Sequence, residues 1–145
     1  MPDMTKPSIN SVEDDPLACA ERMNTAMQSI CAQFRAEAVI GALSTSFAQL
    51  IVEHGGSSEP LLKMLQEHST APPHLRTPLR ECYAQVETMI SSLKRDGFSL
   101  YAILWAVLGT ILRVLTECGF PQDDIDSARD DMIMRINAAQ RLSVN

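Results

Sequence analysis

The sequence predicts an all-α protein: a bundle of four to five helices with a long N-terminal helix and a central apolar helix at about residues 99–118. Three observations carry that prediction. Apolar residues recur at steps of three and four along most of the chain, and no stretch alternates at period two. Alanine, leucine, isoleucine and eight methionines dominate, while aromatics make up only 5%, a mixture that suits helices packed through aliphatic side chains. Proline and glycine fall at intervals where they start and stop helices.

Residues 1–14 hold two prolines, two serines and several acids with little apolar content, so they are expected to form a flexible tail ahead of a single helical domain, 15–145. Asp15-Pro16 starts the first helix, because aspartate caps free N–H groups and proline's fixed φ suits the first helical position. No proline intervenes before the stop at Gly55-Gly56. This stretch is one helix of about 55–60 Å if straight, or two joined by a bend near Gly41 or Ser44–Ser46. Ser58-Glu59-Pro60 opens a short second helix to about His68, and Pro72-Pro73 marks a loop. Thr77-Pro78 starts a third helix, whose stripe Leu79, Cys82, Tyr83, Val86, Met89, Ile90 and Leu93 ends near Asp96-Gly97. Ser99 caps the fourth, which Gly119-Phe120-Pro121 terminates. The fifth runs from the acidic cluster near Asp123 to about Arg141. Short connections predict that the third and fourth helices pack as antiparallel neighbours, as do the fourth and fifth.

Two segments carry no charge, Ala38 to Val52 and Gly97 to Leu112. The second has 16 residues, short of the 17 to 25 of a transmembrane helix, and the other helices are amphipathic, so a bundle core is expected and a membrane is not. Small residues four apart, Ala38, Ala42 and Ser46 on the first helix and Ala102, Ala106 and Thr110 on the fourth, lower the helix ridges and let backbones approach. With Trp105, these are the candidate interface or ligand-contacting residues. A first helix longer than a compact domain of this size also points to a homodimer.

A net charge of −6 argues against nucleic acid as a partner. The acidic run Asp123, Asp124, Asp126, Asp130 and Asp131 lacks the glycine and glutamate of a calcium loop; it reads as helix N-terminal acids, or as a patch for a basic protein partner. His54 and His68 each follow a glutamate directly, a spacing that turns the two side chains about 100° apart. Both read as caps near helix ends, and no metal or cofactor is expected. Cys19, Cys31, Cys82 and Cys118 form no CxxC pair and read as free, mostly buried thiols. The N-terminus has no basic region followed by an apolar core, so cytoplasmic residence is expected. Arg76, Arg80, Lys94 and Arg95 make no continuous basic face. No catalytic spacing occurs, which leaves a non-enzymatic interaction or regulatory protein, acting as a homodimer. The alternative is a bundle that binds an apolar small molecule between the first and fourth helices.

Overall fold

The computed structural model describes residues 14–143; the expected tail, 1–14, lies outside them except for Asp14. Six helices follow one another, α1 (Pro16–Gln33), α2 (Ala36–Glu53), α3 (Glu59–Ser69), α4 (Pro73–Arg95), α5 (Leu100–Glu117) and α6 (Gln122–Ser143). No strand occurs among the described residues. The chain is all-α, with one helix more than expected.

The extra helix comes from a break in the predicted long N-terminal helix. Phe34 and Arg35 both adopt extended backbone, with ψ of 153° and 155°. The break lies ahead of Gly41 and the serine–threonine run, all of which stay helical. Neither glycine nor proline causes it, so no local signal announces it; packing does. The α1 stripe of Cys19, Met23, Met27 and Ile30 is buried, and so is the much wider apolar surface of α2. A straight helix of that length would leave one of them in water, forfeiting about 25 cal/mol per Å² of apolar surface.

Contacts between helices give the directions. Arg22 pairs with Asp96 and Gln33 bonds Gln85, so α1 runs antiparallel to α4. Gly41 lies against Leu79, Ser46 donates to Glu87, and Lys94 pairs with Glu53 at 2.6 Å, so α2 runs parallel to α4. α1 and α2 each pack against both α4 and α5, whereas α4 and α5 touch each other only slightly. The expectation that α4 and α5 are close neighbours is thereby corrected. They stand at opposite corners of a four-helix arrangement, with α1 and α2 between them. α6 does pack on α5, as its short connection predicts.

The central position also changes hands. α2 contacts all five other helices, and no residue from Ala38 to Val52 is exposed. α5 is equally apolar but keeps an outward face. By length and composition both helices, of 18 residues each, are able to cross a membrane, yet 56% of each is buried inside the bundle. The largest enclosed side chains include Met23, Met27, Leu43, Leu50, Ile103 and Leu104.

Terminators follow the chemistry of the sequence. Gly97 (φ 97°) and Gly119 (φ 80°) take the left-handed conformation after α4 and α5. In each case the following N–H reaches back, Phe98 to the Leu93 carbonyl and Phe120 to the Leu115 carbonyl, which closes a Schellman motif. Asp15 and Ser99 cap α1 and α5 by accepting from Leu17 N and Ala102 N. One boundary differs. Pro72-Pro73 is not wholly loop, because Pro73 occupies the first position of α4, where its missing N–H costs nothing. Pro78 then sits inside the helix, leaving the His74 carbonyl without its usual N–H donor.

Candidate functional site

The small-residue rows lie in the core. Ala38, Ala42, Ser46 and Ala102 are fully buried, and Ala106 and Thr110 nearly so. α2 and α5 do pack together within one chain. The α2 row nevertheless turns partly toward α4, since the Ser46 hydroxyl donates to Glu87 Oε2 at 2.9 Å. Thr110 satisfies itself by donating to the Ala106 carbonyl at 2.8 Å. Of the seven candidate residues only Trp105 reaches the surface.

The acidic run sits on α6. Asp126 pairs with Arg129, Asp130 also lies beside Arg129, and Asp131 pairs with Arg135 at 3.0 Å. Asp123 and Asp124 occupy the first turn, where the helix dipole favours them. Much of this charge is therefore balanced on its own helix. Among the described residues, no three His, Cys, Asp or Glu side chains converge as a metal site would require. The thiols split two and two: Cys19 and Cys82 are buried, with burial pushing each pKa up to about 11, while Cys31 and Cys118 are exposed. The expectation that the thiols are mostly buried is corrected: only half are, and Cys118, at the C-cap of α5, lies beyond the packed turns.

Two surface features remain. The first is the outward face of α5. Tyr101, Trp105, Gly109 and Leu112 recur at steps of three and four, so they share one side of the helix. Tyr101 and Gly109 are exposed, and Trp105 and Leu112 half-buried. The Tyr101 and Trp105 rings meet edge to face with centroids 6.2 Å apart. A Cβ placed on Gly109 would meet nothing within 4 Å. This face thus carries a ridge of two aromatic rings next to an open notch.

The second is a cleft of about 310 Å³ between α2, α3 and α4. Thr45, fully buried on α2, donates its one hydroxyl hydrogen to the Gly41 carbonyl at 2.8 Å and lies 3.1 Å from His68 Nε2 on α3. With that hydrogen committed, His68 is assigned as the Nε2–H tautomer donating to Thr45. Burial holds the His68 pKa below the ordinary histidine value of 6.5, against an opposing pull from Glu67. Leu79 and Tyr83 supply the cleft's apolar wall, and Arg76 and Arg80 stand at its edge. Arg76 is held in place by donating Nε and Nη2 to the Ala71 carbonyl, at 3.2 and 2.9 Å. Burial, with Glu87 and Glu53 nearby, raises the Tyr83 pKa above 10, so the phenol keeps its proton.

From the sequence His68 reads as a helix cap, and Arg76 and Arg80 belong to no continuous basic face. One signal was present: Thr45 is a polar residue in the most enclosed part of α2, and a buried hydroxyl needs a partner. The partner itself, 23 residues away, was not legible. Comparison of the chain with protein-family models, with curated proteins and with solved structures finds no match.

Proposed function

We propose that this protein is a non-enzymatic helical interaction protein that works as a homodimer, with the outward face of α5 as its interface. The observation that carries this reading is the pairing of ridge and notch on that face. Trp105, half-buried with its Nε1 turned inward, presents one side of its ring to the surface, and Gly109, one turn on, leaves open space. Under a two-fold axis crossing α5 between them, Trp105 of each copy lies over Gly109 of the other, which is the self-complementarity an isologous interface needs. The strip from Tyr101 to Leu112 carries no charge; Arg113, one turn beyond Gly109 on the same row, is set by the same axis beside Tyr101 of the other copy, and within its own chain it donates to Asn24 at 3.1 Å. Aromatic anchors at the centre of such a face supply most of the binding energy. The reading keeps the protein in the cytoplasm, where its four free thiols stay reduced.

Trp105 is the single tryptophan, so its fluorescence reports on this face alone. The emission is expected to shift to the red, and acrylamide quenching to rise, as the protein is diluted from about 100 μM to about 0.1 μM, the range in which modest dimers dissociate. A spectrum and quenching constant independent of concentration would count against the interface.

A second reading has its own observation. A cavity of about 270 Å³ lies where α2, α5 and α6 meet, walled by Phe47, Ile111, Leu115 and Met132, with the Arg135–Asp131 pair among its lining. An apolar small molecule fits its lining, although the volume falls just below the range of about 300–1,000 Å³ typical of ligand pockets. Native mass spectrometry of the purified chain tests it: a bound small molecule of constant mass supports it, and a bare chain speaks against it.

A further inference from the structure

The cleft between α2, α3 and α4 has no part in the dimer reading. We infer that it is a binding site for a small organic carboxylate, whose charge is held by Arg76 and Arg80 and whose apolar body lies against Leu79 and the Tyr83 ring. Its volume of about 310 Å³ reaches the lower end of the small-molecule range.

The charge arrangement selects the ligand. Arg76 and Arg80 are one helical turn apart on α4, on the same side of the helix. Among the described residues neither has a carboxylate within 4 Å, which is true of several other arginines as well, but these two stand together at one cleft whose lining holds no acid. Two arginines left open side by side in a chain of net charge −6 are suited to an anion brought from outside. The Ala71 carbonyl already orders Arg76 through Nε and Nη2, which leaves Nη1 free to donate. A guanidinium fork matches a carboxylate in two parallel hydrogen bonds.

The walls separate carboxylate from phosphate. Leu79 is buried, and Tyr83, a protonated phenol, adds one donor on an aromatic body. Glu67 lies near His68, and Glu87 and Glu53 near Tyr83. These acids offset part of the pull that the two arginines exert on a more highly charged anion, so the apolar wall, which an organic carboxylate covers and phosphate does not, decides between the two ligands. The Thr45–His68 contact ties α3 to α2 and fixes one wall of the cleft.

Titration of the full-length protein, followed by amide NMR, tests the site with benzoate, benzyl alcohol and inorganic phosphate as probes. Benzoate is expected to shift the resonances of Thr45, His68 and Tyr83 saturably, and to bind more tightly than either other probe. Arg80→Met keeps the apolar stem and is expected to weaken benzoate by about ten- to a hundredfold, the range for losing a charged hydrogen bond. Arg76→Met should do the same from the neighbouring turn. Arg95→Met, on the same helix but beside a different groove, should leave binding unchanged. Both cleft arginines are exposed, and retained amide dispersion in each variant shows that it is folded. The inference is overturned if benzoate gives no saturable shift, if benzyl alcohol or phosphate binds as tightly, or if Arg80→Met binds benzoate like the parent. Since α5 is not involved, these outcomes are independent of the oligomeric state.

Discussion

Replacing Gly109 with alanine should stabilise the isolated chain. Gly109 lies in the interior of α5 with ordinary helical φ, since it is absent from the glycines of positive φ. A Cβ there meets nothing within 4 Å, so no packing term opposes the gain in helix propensity. That gain is about 0.8–1 kcal/mol, which raises the melting temperature by about 2–4 °C in a chain near this size. Gly41→Ala is the matched control, because there the new Cβ would lie 2.8 Å from Leu79 Cδ1 and 3.8 Å from His68 Nε2. Its propensity gain is similar, but Leu79 must rotate within a packed site, so it should gain less than Gly109→Ala or lose stability. Urea denaturation followed by circular dichroism, at a concentration low enough to keep the chain monomeric, gives both values. A destabilised Gly109→Ala, or a Gly41→Ala that gains more, would show that the surroundings of these glycines are not as described. The proposed dimer adds a second arm. At high concentration the new methyl group obstructs the partner's Trp105, so the advantage of Gly109→Ala should shrink or reverse.

Other consequences follow from the same geometry. Ala106 is 2% exposed in the region where α5 meets its neighbours, so Ala106→Leu should overpack the core and cost about 1–3 kcal/mol in urea denaturation; an unchanged midpoint would mean the helices are not closely apposed there. A chromogenic disulfide reagent should modify Cys31 and Cys118 quickly, and Cys19 and Cys82 only as the protein unfolds, given their burial and pKa values of about 11; four equally fast thiols would contradict the burial pattern. His68 has a folded-state pKa below 6.5, so the unfolded chain binds more protons between the two values. Its contribution is therefore complete above about pH 6.5 and is lost as pH falls through the folded pKa. An NMR titration midpoint for His68 at or above 6.5 would run against the burial that produces the shift.

Much of the helix content was legible because its determinants are local. Gly97 and Gly119 stop helices through a backbone conformation that other residues resist, and Ser99 caps through its own hydroxyl. The stripe on α4 sorted inside from outside at nearly every position. The break at Phe34–Arg35 was not legible, because neither residue prefers extended backbone strongly enough to announce it. It exists so that two apolar faces both find cover. The exchange of roles between α2 and α5 was hidden for the same reason. Both segments lack charge, and composition alone does not say which one is surrounded on every side. The cleft was the least visible feature, since it joins a threonine on α2, a histidine on α3 and two arginines on α4 that share no sequence pattern.

Sedimentation equilibrium on three full-length chains, the parent, Gly109→Lys and Met134→Lys, examines the α5 interface itself. Met134 is 61% exposed on α6, so its lysine adds the same charge to a surface away from the notch. The parent and Met134→Lys should both dimerise with similar constants, while Gly109→Lys, which would bury a charge in the interface, stays monomeric at every concentration reached. A parent that remains monomeric throughout, or a Gly109→Lys that dimerises as well as the parent, would contradict the assignment of α5 as the face where two copies meet.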